Sequence, residues 1–410
     1  MGSQDNPSWQ EIAGGVTAPR GYRAAGVAAG LKPSGAPDLA LIVSDVEAVA
    51  AGVVTTNQVK AACVTYAQQI LEQGTPVRAI LCNAGQANAC TGGEGVEDNF
   101  AMARSMAEQL GIAPEQVLTA STGVIGQRLA LDRLQAALPR LVDQLSYQGN
   151  ETAARAILTT DLTVKTVAYE AMIAGVAVRV GGMAKGSGMI HPQMATMLAF
   201  ITCDAQVEAT LWRQIVQRAA DLSFNQITVD GDTSTNDLFL ALANGQADGP
   251  LIEAGTDQAA LLEAMLAAAA IKLAKAIARD GEGATKLLEV QVQGAGQAEE
   301  ARRIARVITG SPLVKSAAFG CDPNWGRVLA AAGRAGVSFA GDQVDVFLGP
   351  FQLMAAGKPL AFDRPAASAY LKENDPVIYR LHLHQGSAEG VAWGCDLSYD
   401  YVRINAEYTT

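Results

Sequence analysis

The residues best placed for chemistry sit mid-chain, in Lys185-Gly186-Ser187-Gly188-Met189-Ile190-His191-Pro192-Gln193-Met194-Ala195-Thr196, followed by an apolar stretch over 197–201. The glycines give a loop that can bend sharply, and the apolar stretch reads as a buried strand. Thr196 stands at the junction, where its hydroxyl could act as a nucleophile. An alcohol is a weak nucleophile at neutral pH and needs a base within hydrogen-bond reach. A free α-amine on the same residue, with a pKa of about 7.7–8.0, meets that need. Thr196 gains one only if the Ala195–Thr196 bond is cut. Attack of its own hydroxyl on the Ala195 carbonyl would give an ester that water then opens, and the small Ala195 leaves room for that attack. The plain alternative is a threonine that merely starts a strand. His191 is a competing base, but it reads as a loop-shaping residue, because the cut would leave it on the other fragment.

Three further groups could complete such a site. In Ser121-Thr122-Gly123 a hydroxyl adjoins a glycine N–H after a predicted strand over 116–120. That pairing could form an oxyanion hole, or only a turn. Thr159-Thr160-Asp161 sets two hydroxyls beside a carboxylate, which could bind an ammonium group or support a turn. Glu282 lies between Gly281 and Gly283, presented on a tight backbone where it could hold the ammonium of an amino acid or simply be a solvated charge.

Other chemistries fit less well. The carboxylates of 230–237 invite calcium, yet the twelve-residue loop pattern fails, with Thr235 where glycine is required and Ala241 where glutamate is required. Gly294-Ala295-Gly296 echoes a dinucleotide fingerprint, but Glu299 takes the third glycine's place, and Lys185 lacks the preceding glycines of a phosphate-binding loop. His382 and His384 alternate, as two rings on one strand face would, with no acidic partner at a telling spacing. The six cysteines show no CxxC spacing, so they read as buried free thiols. No metal is expected.

The sixteen residues 185–200 resemble the self-cleavage site of the ornithine acetyltransferase family, arginine-pathway enzymes that split at an Ala-Thr bond. The resemblance runs from Gly14-Gly15-Val16-Thr17-Ala18-Pro19 to Thr410. It implies an α fragment (1–195), a β fragment (196–410) and an acetyl-Thr196 intermediate that carries acetyl from N-acetylornithine to glutamate. Thr122 and Gly123 would be the oxyanion pair. Lys185, Thr159 or Thr160, Glu282, Asn405 and Thr410 would bind substrate. The implied fold is an α/β layered sandwich of sheets between helices with a smaller C-terminal α/β lobe, assembled as a dimer of two-fragment units. No cofactor is implied, although acetyl-coenzyme A could also load Thr196. The rival reading is a self-processed aminopeptidase of similar fold, with water in place of glutamate. A non-catalytic amino acid binding protein, which would stay uncut, is a third.

The elements that must position these residues follow from periodicity. Helices are predicted over 59–73, 95–110, 129–145, 207–222, 257–279 and 299–309. Strands are predicted over 14–17, 24–28, 40–44, 77–83, 116–120, 168–180 and 287–293. Residues 83–92, rich in glycine and asparagine, read as a shaped loop. The C-terminal 403–410 would ordinarily fray, but the resemblance makes it part of the pocket, so truncation there should be harmful. A net charge of −11 argues against nucleic acid or an anionic membrane as partner. No apolar run reaches the ~20 residues of a membrane span. The N-terminus lacks a signal pattern, so the cytoplasm is the expected compartment.

Overall fold

The computed structural model describes residues 8–191 and 197–407. Its first part holds β1 (Trp9–Glu11), β2 (Tyr22–Val27), β3 (Leu39–Val54), α1 (Ala62–Gln73), β4 (Val77–Gln86), α2 (Gly92–Leu110), β5 (Val117–Val124), α3 (Leu131–Asp143) and α4 (Asn150–Ala156). Then come β6 (Lys165–Ile173), β7 (Val176–Lys185), β8 (Leu198–Cys203), α5 (Ala209–Leu222), β9 (Ile227–Thr228), β10 (Leu238–Ala243) and α6 (Asp257–Arg279). The last part holds β11 (Leu287–Ala295), α7 (Ala298–Thr309), α8 (Pro312–Phe319), α9 (Trp325–Gly333), β12 (Asp345–Leu348), β13 (Phe351–Ala355), β14 (Lys358–Pro359), α10 (Arg364–Glu373), β15 (Val377–His382), β16 (Ala388–Cys395) and α11 (Tyr399–Glu407).

Two sheets organise these elements. One has nine strands, ordered β1-β6-β7-β8-β10-β3-β4-β5 with β2 also on β3, and the other has seven, ordered β14-β13-β12-β15-β11-β16-β9. The long β3 serves both halves of the first sheet. Its N-terminal part pairs with β2 and β4, while 49–54 pair with β10.

The period-two alternation of side chains sorts these strands into layers. Ala199, Ile201 and Cys203 of β8 and Phe239, Ala241 and Ala243 of β10 face α5 and α6 in one core. Their neighbours Leu198, Phe200, Leu238, Leu240 and Leu242 share a second core with Ala40, Ile42, Ile80 and Leu118 of the other half-sheet. The opposite side of that half, Leu39, Leu41, Ala79 and Leu81, meets Met102 and Met106 of α2 and Leu134 and Leu138 of α3. The order is therefore helices, half-sheet, half-sheet, helices, the expected layered sandwich. All six residues of β8 are buried, which fits the apolar stretch read over 197–201, and the one polar side chain in the strand, Thr202, donates its hydroxyl to the Val16 carbonyl. A separate core joins the seven-stranded sheet to α7–α10 as the smaller C-terminal lobe.

Several boundaries depart from the sequence reading. Gly15–Thr17 is a short 3-10 turn, not a strand. β4 and β5 continue through Gln86 and Val124, because parallel pairing with each other satisfies backbone groups that composition would assign to loops. β7 passes through Gly181-Gly182 for a packing reason: a Cβ at 181 would lie 1.9 Å from the Gly15 carbonyl oxygen. Cys90 is exposed and Cys321 only half-buried, unlike the other four thiols.

A break between 191 and 197 would fall between β7 and β8, which pair over six residues, while β10 pairs with β3 over six more. The two products should therefore elute as one species on native size exclusion and separate only in denaturant.

Candidate active site

Strand register brings the candidate residues together. β7 pairs antiparallel with β8 so that Lys185 lies opposite Leu198, and the chain that leaves β7 re-enters the sheet directly beside it. β10 runs parallel on the other side of β8 with Leu238 opposite Leu198. The start of β8 is thus flanked by Lys185 on one strand and Asp237 on the other. Ala195 and Thr196, just upstream, lie outside the described residues, as does Thr410.

Thr122 sits near the end of β5, 5% exposed, with its hydroxyl 3.5 Å from the Lys185 ammonium. Gly123 follows at φ +129°, and a Cβ there would come within 2.2 Å of the Gly85 carbonyl carbon. Only glycine allows β4 and β5 to approach so closely at that conformation. The segment is strand, not the turn that a Ser-Thr-Gly run first suggests.

Beneath it lies a buried charge cluster. Lys165 Nζ donates to Asp161 Oδ1 at 2.8 Å and to Asp280 Oδ2 at 2.6 Å, with all three side chains at most 7% exposed. Lys185 Nζ is 3.9 Å from the other Asp161 oxygen. Asp161 also accepts the Gly186 N–H at 2.6 Å and the Thr159 N–H at 3.1 Å. Burial opposes ionisation of Asp161, but Lys185, Lys165 and the Gly186 N–H outweigh it and hold its pKa down at about 2. Asp161 is therefore the anchor of the loop's first residues, and the carboxylate beside Thr159 and Thr160 is already engaged. The two threonines remain half-buried at its edge.

The loop then crosses Glu282. Ser187 accepts the Glu282 N–H at 2.9 Å, and a Cβ on Gly188 would fall within 2.5 Å of the Glu282 carboxyl. Asn405 Nδ2, on α11, donates to Glu282 Oε2 at 2.9 Å. So Glu282 is a held group, not a free surface charge, and the C-terminal segment is a helix that docks on it. Asp230 fixes the far side of the loop, accepting the Met189 and Ile190 N–H groups at 2.6 and 3.0 Å. His191 pairs with the Thr228 hydroxyl at 3.1 Å, and burial together with Arg306 lowers its pKa, which suits a loop-shaping role.

Two residues of the 230–237 stretch, read in the sequence only as part of a calcium pattern that fails, have specific places in the fold. Asn236 Nδ2 donates to the Ala87 and Ser121 carbonyls at 2.7 and 2.8 Å, tying the 230–237 turn to the strand that carries Thr122. Asp237 is wholly buried, with Oδ1 accepting the Met197 N–H at 2.7 Å. A signal was present: an acid immediately before a six-residue apolar strand is an expensive choice unless something uses it.

Among the described residues no three metal-type side chains come together. The His382 and His384 rings do lie together, with centroids 3.9 Å apart and planes tilted by 48°, but β15 ends at His382 and His384 takes a left-handed φ of 55°. His384 finds an acidic partner after all, Asp345 at 2.9 Å. A cavity of about 320 Å³ beside the loop is lined by His191, Thr233, Arg303, Arg306 and Arg334.

Comparison with known proteins places this geometry in context. The ArgJ family model matches residues 23–410. The chain is 60% identical to arginine biosynthesis bifunctional protein ArgJ 1 of Nostoc sp. over 98% of its length and 99% of the relative's. It is 58% identical to the ArgJ bifunctional protein of a Synechococcus strain, with 98% and 99% covered. A crystal structure of the Bacillus halodurans arginine biosynthesis bifunctional protein shares 45% identity at a TM-score of 0.50, covering 51% of this chain and 98% of that one.

Lys165→Met should strand two buried carboxylates and lower stability by about 3–5 kcal/mol in urea melts. Because the pKa of Asp161 is depressed, its contribution is present above about pH 4 and lost as pH falls towards about 2. The stability gap between the parent and Asp161→Asn should close over that window.

Proposed function

Because this chain belongs to the ArgJ family, we propose that it is a glutamate N-acetyltransferase of arginine biosynthesis, cut by itself between Ala195 and Thr196 and working through Thr196. The observation that carries this reading is the register at β8, which sets Lys185, and through it Thr122, beside the point where that strand begins. The coverage of the Bacillus halodurans chain supports a cut: 98% of it aligns with 51% of this sequence, and a break before 196 leaves 215 of 410 residues in the second piece.

In the first half-reaction the Thr196 oxygen attacks the acetyl carbonyl of N-acetylornithine and its proton passes to its own α-amine. The resulting oxyanion is held by the Thr122 hydroxyl and the Gly123 N–H. Collapse breaks the C–N bond, the proton moves to the departing amine, and ornithine leaves an acetyl ester. The glutamate amine then attacks that ester, and the Thr196 oxygen departs with the proton. Lys185 suits a substrate carboxylate, Glu282 with Asn405 an ammonium, and Thr159 or Thr160 together with Thr410 the remaining polar contacts. The α (1–195) and β (196–410) fragments form the unit, two units form the dimer, and the enzyme acts in the cytoplasm without a metal or bound cofactor.

Acetyl-coenzyme A is a second acetyl donor in this reading. Three guanidinium groups around the cavity at His191 suit the charge of its phosphates, in a chain whose net charge is −11.

Thr196→Ala should remain a single uncut chain without transfer activity. Thr122→Ala should still fold and lose about 10²–10³-fold in kcat for acetyl transfer, the effect of removing one oxyanion donor. An uncut but active Thr196→Ala protein would contradict the reading. The pair Arg303→Glu and Arg334→Glu should raise KM for acetyl-coenzyme A and leave KM for N-acetylornithine unchanged.

A further inference from the structure

The proposed reaction asks one pocket to hold two side chains of opposite charge. Ornithine ends in an ammonium and glutamate in a carboxylate, while both carry the α-carboxylate that Lys185 suits. Glu282 with Asn405 answers the first side chain and repels the second, so the far carboxylate of the acceptor needs a cation that no carboxylate of the protein already holds. Lys165 is engaged by Asp161 and Asp280, and Lys185 is countered by Asp161.

Lys32 fills that description. It lies in the loop between β2 and β3, whose backbone is fixed by the wholly buried Asp38. That carboxylate accepts the Ala29, Leu31 and Lys32 N–H groups at 2.5, 2.6 and 3.0 Å, and the Asp38 carbonyl takes the Ala84 N–H of β4 at 2.8 Å. The Lys32 stem then crosses the end of β4. A Cβ on Gly85 would meet Lys32 Cγ at 3.4 Å, and Gly85 is the register partner of Gly123. From there Lys32 Nζ donates to the Pro37 carbonyl at 2.6 Å and to the Ala156 carbonyl at 3.4 Å. Ala156 closes α4, just ahead of Thr159. The ammonium is thus set between the ends of β4 and β5, beside Gly123, and the segment that carries Thr159 and Thr160.

This ammonium is half-buried, and among the described residues its partners are carbonyls, with no carboxylate at ion-pair distance. One of its N–H donors is left over. Burial lowers its pKa and Lys185 pushes the same way, against the pull of Asp38 and Asp161. A charge that has lost part of its hydration without gaining a paired counter-ion favours an incoming anion. The geometry points to Lys32 as the specificity-determining residue of the second half-reaction, the cation that receives the side-chain carboxylate of glutamate once ornithine has left. Lys185 then serves the α-carboxylate in both halves, Glu282 the ammonium end in the first and Lys32 the carboxylate end in the second. The inference rests on the acetyltransferase reading of the preceding section.

Two substitutions in the full-length chain test it. Lys32→Gln keeps N–H donors for the Pro37 and Ala156 carbonyls and removes the charge, whereas Lys32→Arg keeps both. In a two-step transfer, kcat/KM for each substrate reports its own half-reaction. Lys32→Gln should lower kcat/KM for glutamate about tenfold or more and leave that for N-acetylornithine within about twofold, and Lys32→Arg should recover most of the loss. A role confined to holding the loop would lower both values together. A second measurement needs no variant: in the parent, saturating glutamate should slow modification of Lys32 by an amine-directed reagent, read by mass spectrometry, and ornithine should not. Equal loss with both substrates, no loss with glutamate, or Lys32 modified equally fast with and without glutamate overturns the assignment. A parent protein that transfers no acetyl group from N-acetylornithine to glutamate would instead sink the acetyltransferase reading.

Discussion

The site depends on the antiparallel pairing of β7 with β8. That ladder makes Lys185 and Leu198 cross-strand partners, so the segment between them returns to its starting point however it travels. A bond inside it can break without releasing either end, because each end belongs to a strand buried on both faces. β10 adds the second constraint, lying parallel to β8 and presenting Asp237 to the Met197 N–H. Two ladders thus fix the beginning of one strand from both sides, and the chemistry needs that fixity: an attacking oxygen, an oxyanion pocket and a base must agree to within fractions of an ångström.

The charge arrangement has the same purpose. Lys165 and Lys185 between them meet Asp161 and Asp280, with every one of these side chains buried. Removing any one member leaves an uncompensated buried charge, so the cluster is more valuable for specifying one loop conformation than for net stability. Through Asp161 it holds Gly186, and through the Asp280 carbonyl it holds the Ser187 hydroxyl. Ser187 in turn accepts the Glu282 N–H, so Glu282 and the loop that follows β7 are parts of one hydrogen-bonded unit.

Much of this was legible in the sequence, for physical reasons that differ by element. The apolar run after Thr196 and the alanine-rich helix Asp257–Arg279 announced themselves through period and length. Strand ends did not, because pairing partners distant in the chain decide where a strand stops: Gly123 belongs to β5 through its register with Gly85. Thr122, Lys185 and Glu282 emerged from their motif context and the resemblance it carries. Lys165 and Asp280 could not, since nothing local distinguishes a buried ion pair made across 115 residues from two surface charges. Asp237 lay among carboxylates that invite a calcium reading, and only the fold shows that its side chain is buried.

The most direct measurement is the mass of the purified protein after incubation with N-acetylornithine in the absence of glutamate. The account predicts two pieces in place of the 42.5 kDa chain, with one acetyl group on the piece that begins at Thr196 and none on the other; added glutamate should discharge it. A single intact chain that nonetheless transfers acetyl, or an acetyl group found on any residue other than Thr196, would contradict it.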